Sequence, residues 1–143
     1  MPDIRHFVLV AAPPEAVFPF IATGEGFKQW WAEDVVIDPS GPIRLGFFKR
    51  ATVYVLRRDA SEPSRRVTWR CESGEQWAGT WLVFDLEERG SQTAVIFTHA
   101  GWRQATEFFT SCNTTWGELL YRLKAAAEGK APGPLFGTER LLC

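Results

Sequence analysis

The chain has 143 residues, with 16 basic and 17 acidic side chains and a formal net charge of −1. Aromatic residues make up 14% of it, and so many large apolar side chains exclude an intrinsically disordered chain. The balanced charge, with no long run of one sign, argues against nucleic acid and against a polybasic membrane-surface patch, so we expect neither partner.

The apolar runs and the cysteines indicate the compartment. The longest apolar runs, residues 7–12 and 16–22, fall far short of the roughly 20 residues that span a bilayer, so we expect no integral membrane contact. Cys71, Cys112 and Cys143 are odd in number and far apart, which gives neither a disulfide framework nor the spacing of metal ligands. We therefore predict a cytoplasmic protein with no metal ion and no cofactor.

The first part of the chain predicts one strand followed by two short helices. Ile4–Ala11 is rich in β-branched and aromatic residues, which favour a strand. Pro14 can open a helix, and Pro19 should shorten or kink it because proline lacks the donor that a helix interior needs. Glu25–Trp31 predicts a second short helix.

Alternating apolar and polar residues then predict six strands, joined mostly by hairpin turns. These strands are Asp34–Ile37, Ile43–Phe48, Ala51–Asp59, Arg65–Glu72, Gln76–Glu87 and Gln92–Ala100. From Glu107 the apolar period changes to that of a helix, which predicts one helix of about 22 residues with Gly129 as its C-cap. Antiparallel strands followed by a long helix indicate an α+β fold with the helix packed across one face of the sheet.

His99 is the residue best placed for chemistry in a sequence that has none of the common catalytic motifs. Strand alternation places it on the inner face of the sheet with Val95 and Phe97. There it could act as a general base, orient a polar ligand atom, or serve as a structural histidine near the end of the strand. Cys112 falls on the apolar stripe of the long helix, where we expect a buried and unreactive thiol.

A set of short motifs occurs in an order that is specific as a whole. The motifs are Ala12–Phe18, Trp30-Trp31, Arg66–Trp69, Gly79–Leu86, Thr93–Trp102, and Trp116 with Leu119, Leu120 and Leu123. Over about residues 3–129, this set resembles the activator of heat-shock-protein-90 ATPase homologue-like family, a branch of the START/polyketide-cyclase (SRPBCC) superfamily. The resemblance implies a helix-grip fold, in which a seven-stranded antiparallel sheet wraps around the C-terminal helix. We expect one domain over residues 1–143, with a core over 3–129 and a tail over 130–143.

The same resemblance implies a hydrophobic cavity between the sheet and the helix, because members of the superfamily bind lipids, hormones or polyketides. We therefore predict that the chain binds a small hydrophobic molecule. The expected ligand-binding residues are Trp31, Tyr54, Trp69, Phe97, His99, Phe109 and Trp116. Two alternatives stay open: a cyclase- or hydrolase-like enzyme with His99 as its base, and a protein-interaction module related to the co-chaperone domain that gives the family its name.

Two features lie outside this pattern. Trp81 is expected on the outer face of the sheet, where it could cover the convex surface or support a homodimer contact. The tail keeps large apolar side chains at Leu135, Phe136, Leu141 and Leu142. We expect it to pack on the body of the protein.

Overall fold

The computed structural model describes residues 2–47 and 49–137. The first strand, β1 (Ile4–Val10), is followed by two short helices, α1 (Pro14–Ala22) and α2 (Gly24–Phe27). The next strands are β2 (Asp34–Ile37), β3 (Ile43–Phe47), β4 (Thr52–Glu62), β5 (Arg66–Cys71), β6 (Trp81–Arg89) and β7 (Gln92–Ala100). A long helix, α3 (Glu107–Ala127), comes after the last strand.

The seven strands form one antiparallel sheet in the order β1-β7-β6-β5-β4-β3-β2. Strands β2 to β7 each pair with their sequence neighbour, whereas β1 lies beside β7 with Ile4 opposite His99. The helix α3 packs along β1 and across the inner face of the sheet. The predicted α+β helix-grip architecture is confirmed.

The hydrophobic core fills the space between the inner face of the sheet and α3. Thr106 caps the helix, because its Oγ1 accepts a hydrogen bond from the backbone N–H of Phe109 at 3.1 Å. The buried residues of the helix are Cys112, Trp116, Leu119, Leu120, Leu123 and Ala126. They form the stripe that the helical period predicted.

Three predicted boundaries differ from the structure by three residues or more. The predicted strand Gln76–Glu87 begins only at Trp81, because residues 74–79 form a turn in which the N–H of Ala78 donates to the carbonyl of Gly74 at 3.0 Å. Strand β4 runs on to Glu62 through a bulge between Arg58 and Ala60. The helix α2 ends at Phe27, so Trp30 and Trp31 lie in the turn that follows it.

The C-terminal segment packs on the body as far as the structure describes it. Leu135 is buried, and Phe136 forms a parallel bridge with Ala32. The predictions that name Phe48, Leu141, Leu142 and Cys143 concern residues that the structure does not describe. No helix in residues 2–47 and 49–137 is long and apolar enough to cross a membrane.

Candidate functional site

Five aromatic side chains from separate parts of the chain meet beside the first half of α3. They are Trp31 after α2, Phe47 of β3, Tyr54 of β4, Trp77 in the β5–β6 turn and Trp116 of α3. Tyr54 and Trp77 stack with their ring centroids 4.0 Å apart and their planes 6° apart. The ring centroids of Trp31 and Trp116 are 5.0 Å apart, and those of Trp77 and Trp116 are 6.1 Å apart. We call these five rings the aromatic box.

The aromatic box borders a cavity of about 190 Å³, which we call the aromatic cavity. Its lining consists of Trp31, Phe47, Thr52, Tyr54, Trp77, Phe108, Ser111, Cys112, Thr115, Trp116, Leu119 and Phe136. Most of these side chains are apolar, and the polar groups are a few hydroxyls and one thiol. A mostly apolar lining with few polar groups is typical of small-molecule sites.

Burial keeps the acidic groups of this lining neutral. Desolvation raises the pKa of the Tyr54 phenol well above its usual range. It also raises the pKa of the Cys112 thiol to about 11, although the Trp77 side chain opposes that rise. The Nε1 atom of Trp77 is buried and makes no hydrogen bond of normal geometry among the described residues. The aromatic cavity therefore offers uncharged groups, with one buried donor on its wall.

His99 is fully buried beside the aromatic box, and both of its ring nitrogens are engaged. The Nε1 of Trp116 donates to His99 Nδ1 at 3.2 Å, and His99 Nε2 lies 2.8 Å from Thr80 Oγ1. An indole N–H can only donate, so Nδ1 is the acceptor and Nε2 carries the proton. Thr80 Oγ1 in turn donates to the carbonyl of Trp77 at 2.6 Å. Burial lowers the pKa of His99 to about 3, so the ring is neutral.

This arrangement favours a structural histidine over a general base. A general base needs a free lone pair within reach of the proton that it removes. The lone pair of Nδ1 is already occupied by the Trp116 indole, and Nε2 is protonated. The rings of Trp77 and Trp116 also contact His99, with centroid distances of 4.7 and 6.0 Å, whereas His99 does not line the aromatic cavity.

The structure brings three of the seven expected ligand-binding residues together at the aromatic cavity: Trp31, Tyr54 and Trp116. His99 and Trp69 do not line the aromatic cavity. For Trp69 the reason is that its indole packs against α1. The indole Nε1 of Trp69 donates to the carbonyl of Ile21 at 2.8 Å, in a fully buried contact. Trp69 therefore fastens α1 to the sheet.

The other two expected residues, Phe97 and Phe109, pack against aromatic neighbours instead of the aromatic cavity. The ring of Phe97 lies 4.2 Å from that of Trp116, and the ring of Phe109 meets Trp102 edge-on at 5.2 Å. Strand and helix periodicity correctly identifies the inner faces. It does not show which inner residues are covered by other side chains.

Sequence reasoning missed four aromatic residues of the lining: Phe47, Trp77, Phe108 and Phe136. The alternating pattern predicts a strand at Trp77, whereas Trp77 lies in the β5–β6 turn. The glycines at Gly74 and Gly79, both with positive φ, are the signal that could have located this turn.

Residues 130–137, which we call the C-terminal strap, supply one wall of the aromatic cavity through Phe136. The backbone N–H of Leu135 donates to the Trp30 carbonyl at 3.2 Å, and that of Phe136 to the Trp31 carbonyl at 3.0 Å. On α3, the Nη1 of Arg122 donates to the carbonyls of Pro132 and Gly133 at 3.1 and 2.8 Å. The strap is thus held at both of its ends, by the segment after α2 and by α3.

Replacing Arg122 by Met should loosen the C-terminal strap without unfolding the sheet. Hydrogen bonds to a charged donor contribute about 1.5 kcal/mol or more, so their loss should speed local opening roughly tenfold. Hydrogen–deuterium exchange at the amides of Leu135 and Phe136 would measure this. Glu118→Met, at an exposed position of the same helix, is the control. Equal exchange in the two variants would contradict the role of Arg122.

A second cavity, of about 300 Å³, lies on the other side of the β5–β6 turn, and we call it the polar cavity. Its lining consists of Glu75, Gln76, Ala78, Thr80, Gly101, Trp102, Arg103, Gln104 and Thr106. Trp102 is the large ring in this lining, and its buried Nε1 has no hydrogen-bond partner among the described residues.

Metal-binding and thiol chemistry receive no support in the described part of the chain. No group of three or more His, Cys, Asp or Glu side chains is placed to hold a metal ion within residues 2–47 and 49–137. Cys71 is fully buried, and desolvation raises its pKa to about 12, so its thiol stays protonated.

The sequence matches the family described as Activator of Hsp90 ATPase homolog 1-like protein over residues 11–128. No curated protein matches the chain. Among solved structures, the solution structure of the Aha1 dimer from Colwellia psychrerythraea is 32% identical and superposes with a TM-score of 0.79. That alignment covers 91% of this chain and 98% of the Colwellia chain.

Two more distant structures share the fold. DynU16, a protein of the dynemicin biosynthetic locus, is 16% identical with a TM-score of 0.75, over 94% of this chain and 50% of its own. XoxI from Bacillus cereus is 13% identical with a TM-score of 0.75, over 90% of this chain and 97% of its own. At these identities the likeness shows the fold alone.

Proposed function

We propose that this chain, which belongs to the Activator of Hsp90 ATPase homolog 1-like protein family, binds a small hydrophobic molecule in the aromatic cavity. The observation that carries the proposal is the space itself, about 190 Å³ bounded by aromatic rings between the sheet and α3. The cavity opens to solvent beside the exposed residues Phe108 and Ser111. A bound apolar molecule would remove its aromatic walls from water, which is favourable.

The size of the aromatic cavity limits the ligand to a compact molecule. An engineered apolar cavity of about 150 Å³ is known to bind benzene, so a space of this order takes one or two fused rings. The walls offer flat faces, as in the stacked pair Tyr54 and Trp77. Aromatic ligands would gain offset-stacked or edge-to-face contacts in addition to the burial of apolar area.

Binding is favoured over catalysis because the described lining offers no charged group and no free base. The thiol and the phenol of the lining stay protonated, and His99 uses both ring nitrogens within the protein. The alternative function, a protein-interaction module that acts on a chaperone, is supported by the description of the matching family. Stimulation of a partner ATPase in a direct assay would test that alternative.

Filling the aromatic cavity should abolish binding of a small aromatic probe. Thr115 lines the cavity, so Thr115→Trp places a large ring in it, and we expect naphthalene affinity to fall at least tenfold. Thr114→Trp is the matched control, since Thr114 is exposed and makes the same type of hydrogen bond to the carbonyl four residues earlier. Titrations followed by NMR of the Trp indole N–H groups would measure both affinities. Unchanged binding in Thr115→Trp, or no binding to the wild type, would refute the proposal.

We also propose that the chain forms a homodimer. The Colwellia relative is a dimer, and the outer edge strand β1 exposes 50% of Phe7 and 37% of Leu9. Trp81 lies half-buried on the same outer face, with the guanidinium of Arg70 5.3 Å from its ring centroid. Sedimentation over a range of protein concentrations tests the proposal, and a monomer at every concentration would exclude it.

A further inference from the structure

We propose that the aromatic cavity and the polar cavity are two halves of one ligand site, divided by the β5–β6 turn. The ligand would be an amphipathic molecule, with an aromatic body in the aromatic cavity and an uncharged hydrogen-bonding head group in the polar cavity. This inference rests on the proposed function, because it extends the same cavity.

The β5–β6 turn contributes residues to the linings of both cavities. Trp77 lines the aromatic cavity, whereas its neighbours Gln76 and Ala78 line the polar cavity. Thr80 also lines the polar cavity, and its hydroxyl donates to the carbonyl of Trp77 at 2.6 Å. Displacement of this turn together with the Trp77 ring, which stacks on Tyr54 at 4.0 Å, would join the two spaces.

The turn has the features of a segment that can move. Gly74 and Gly79 bound it, with φ values of 106° and 87°. A side chain at Gly79 would meet no atom within 4 Å, whereas a Cβ at Gly74 would lie 2.6 Å from the Tyr54 ring, so the Gly79 end is the one with room to move. On the side of α3, it is tied by a hydrogen bond from Thr106 Oγ1 to Gln76 Oε1 at 2.7 Å, between two exposed or half-buried side chains. Short segments with such ends commonly move to admit ligands.

Two buried indole N–H groups beside the turn make no hydrogen bond of normal geometry within residues 2–47 and 49–137. These are the Nε1 atoms of Trp77, on the wall of the aromatic cavity, and of Trp102, on the wall of the polar cavity. Few buried donors in folded proteins stay unpaired, and each one that does needs a reason. The indole of Trp77 faces the Cys112 thiol, whose pKa it lowers. An acceptor atom on the head group of a ligand in the polar cavity would satisfy the indole of Trp102.

The charges of the polar cavity specify an uncharged head group. Glu75 and Arg103 contribute one charge of each sign, and the amides of Gln76 and Gln104 offer both donors and acceptors. A carboxylate or an ammonium group would face one charge of its own sign, whereas an amide can pair with every group. The aromatic cavity alone is smaller than the roughly 300–1,000 Å³ of typical ligand sites, and the two cavities together reach that range.

A matched pair of probes, naphthalene and 2-naphthamide, tests this inference. We expect the wild-type protein to bind 2-naphthamide at least fivefold more tightly, with the indole N–H resonances of Trp77 and Trp102 shifting together. Ala78→Trp places a ring in the polar cavity and should remove this preference while leaving naphthalene affinity within twofold. Ala105→Trp is the control, because Ala105 is exposed beside the polar cavity but is not part of its lining.

The outcomes separate this inference from the proposed function. Equal affinity of the two probes for the wild type, or a preference that survives Ala78→Trp, would show that the cavities are independent and would overturn the inference. The proposed function would still stand if Thr115→Trp blocked naphthalene. If naphthalene did not bind the wild type, or bound Thr115→Trp equally well, both would be refuted.

Discussion

Trp69→Ala should lower the free energy of unfolding by about 5 kcal/mol, a large share of the stability of a typical domain. The ring is 2% exposed and packs against Phe27, with centroids 5.2 Å apart. Its Nε1 is also the donor to the buried carbonyl of Ile21. The substitution would therefore both empty a large volume and leave that carbonyl unpaired. Chemical denaturation measures the loss.

Two further variants divide this loss between packing and hydrogen bonding. Trp69→Phe keeps a ring but no donor, and should cost about 2 kcal/mol. Trp81→Ala removes an indole from the outer face of the sheet and should cost about 1 kcal/mol, mostly through its contact with Arg70. If Trp69→Ala were no more harmful than Trp81→Ala, the anchoring role of Trp69 would be wrong. Because Trp69 does not line the aromatic cavity, Trp69→Phe should also retain naphthalene binding.

Lowering the pH from 7 to 5 should reduce the free energy of unfolding by about 2 kcal/mol through His99 alone. Burial lowers its pKa to about 3 in the folded protein, against the ordinary value of 6.5 in the unfolded chain. Between these values the unfolded state binds the proton and the folded state does not. The stabilisation is thus complete above pH 6.5 and is lost progressively as the pH falls toward 3.

Denaturation of wild type and of His99→Gln at pH 7, 6 and 5 measures this contribution. The variant should be less stable at pH 7 but should lack most of the dependence on pH. The hydrogen bonds that lower the pKa of Asp38 and Glu128 are lost only at more acidic pH. The change in the free energy of unfolding between pH 5 and pH 6.5 therefore comes mainly from His99. An equal slope in both proteins would mean that His99 is not held neutral by the fold.

Much of the fold could be predicted from the sequence because its signals are local. The strands Asp34–Ile37 and Gln92–Ala100 have the predicted boundaries, and α3 begins at the predicted residue. Alternation and helical period require only neighbouring residues. The turn around Trp77 was missed because its alternating residues continue those of β6, although its backbone is set by Gly74 and Gly79.

The candidate site was less predictable, since it depends on contacts between distant segments. Trp31, Tyr54 and Trp116 could be expected from the family resemblance and from the inner faces. Phe136 reaches the aromatic cavity only because the C-terminal strap pairs with the segment after α2, which no local pattern encodes. The surroundings of His99 likewise follow from the meeting of β7, α3 and the β5–β6 turn.

The position of β1 at the edge beside β7 has a kinetic consequence. Val8 pairs with Val95, and Ile4 pairs with His99, so β1 is synthesised well before its partner β7. Pairing across such a long loop is slow, because the entropy of loop closure must be overcome before the contacts form. During synthesis β1 remains without its neighbour, so its backbone edge and the side chains of Ile4, Val8 and Val10, which the fold buries, are open to other chains. Early termination before Gln92 would leave that strand permanently unpaired, which makes aggregation the expected fate of such fragments.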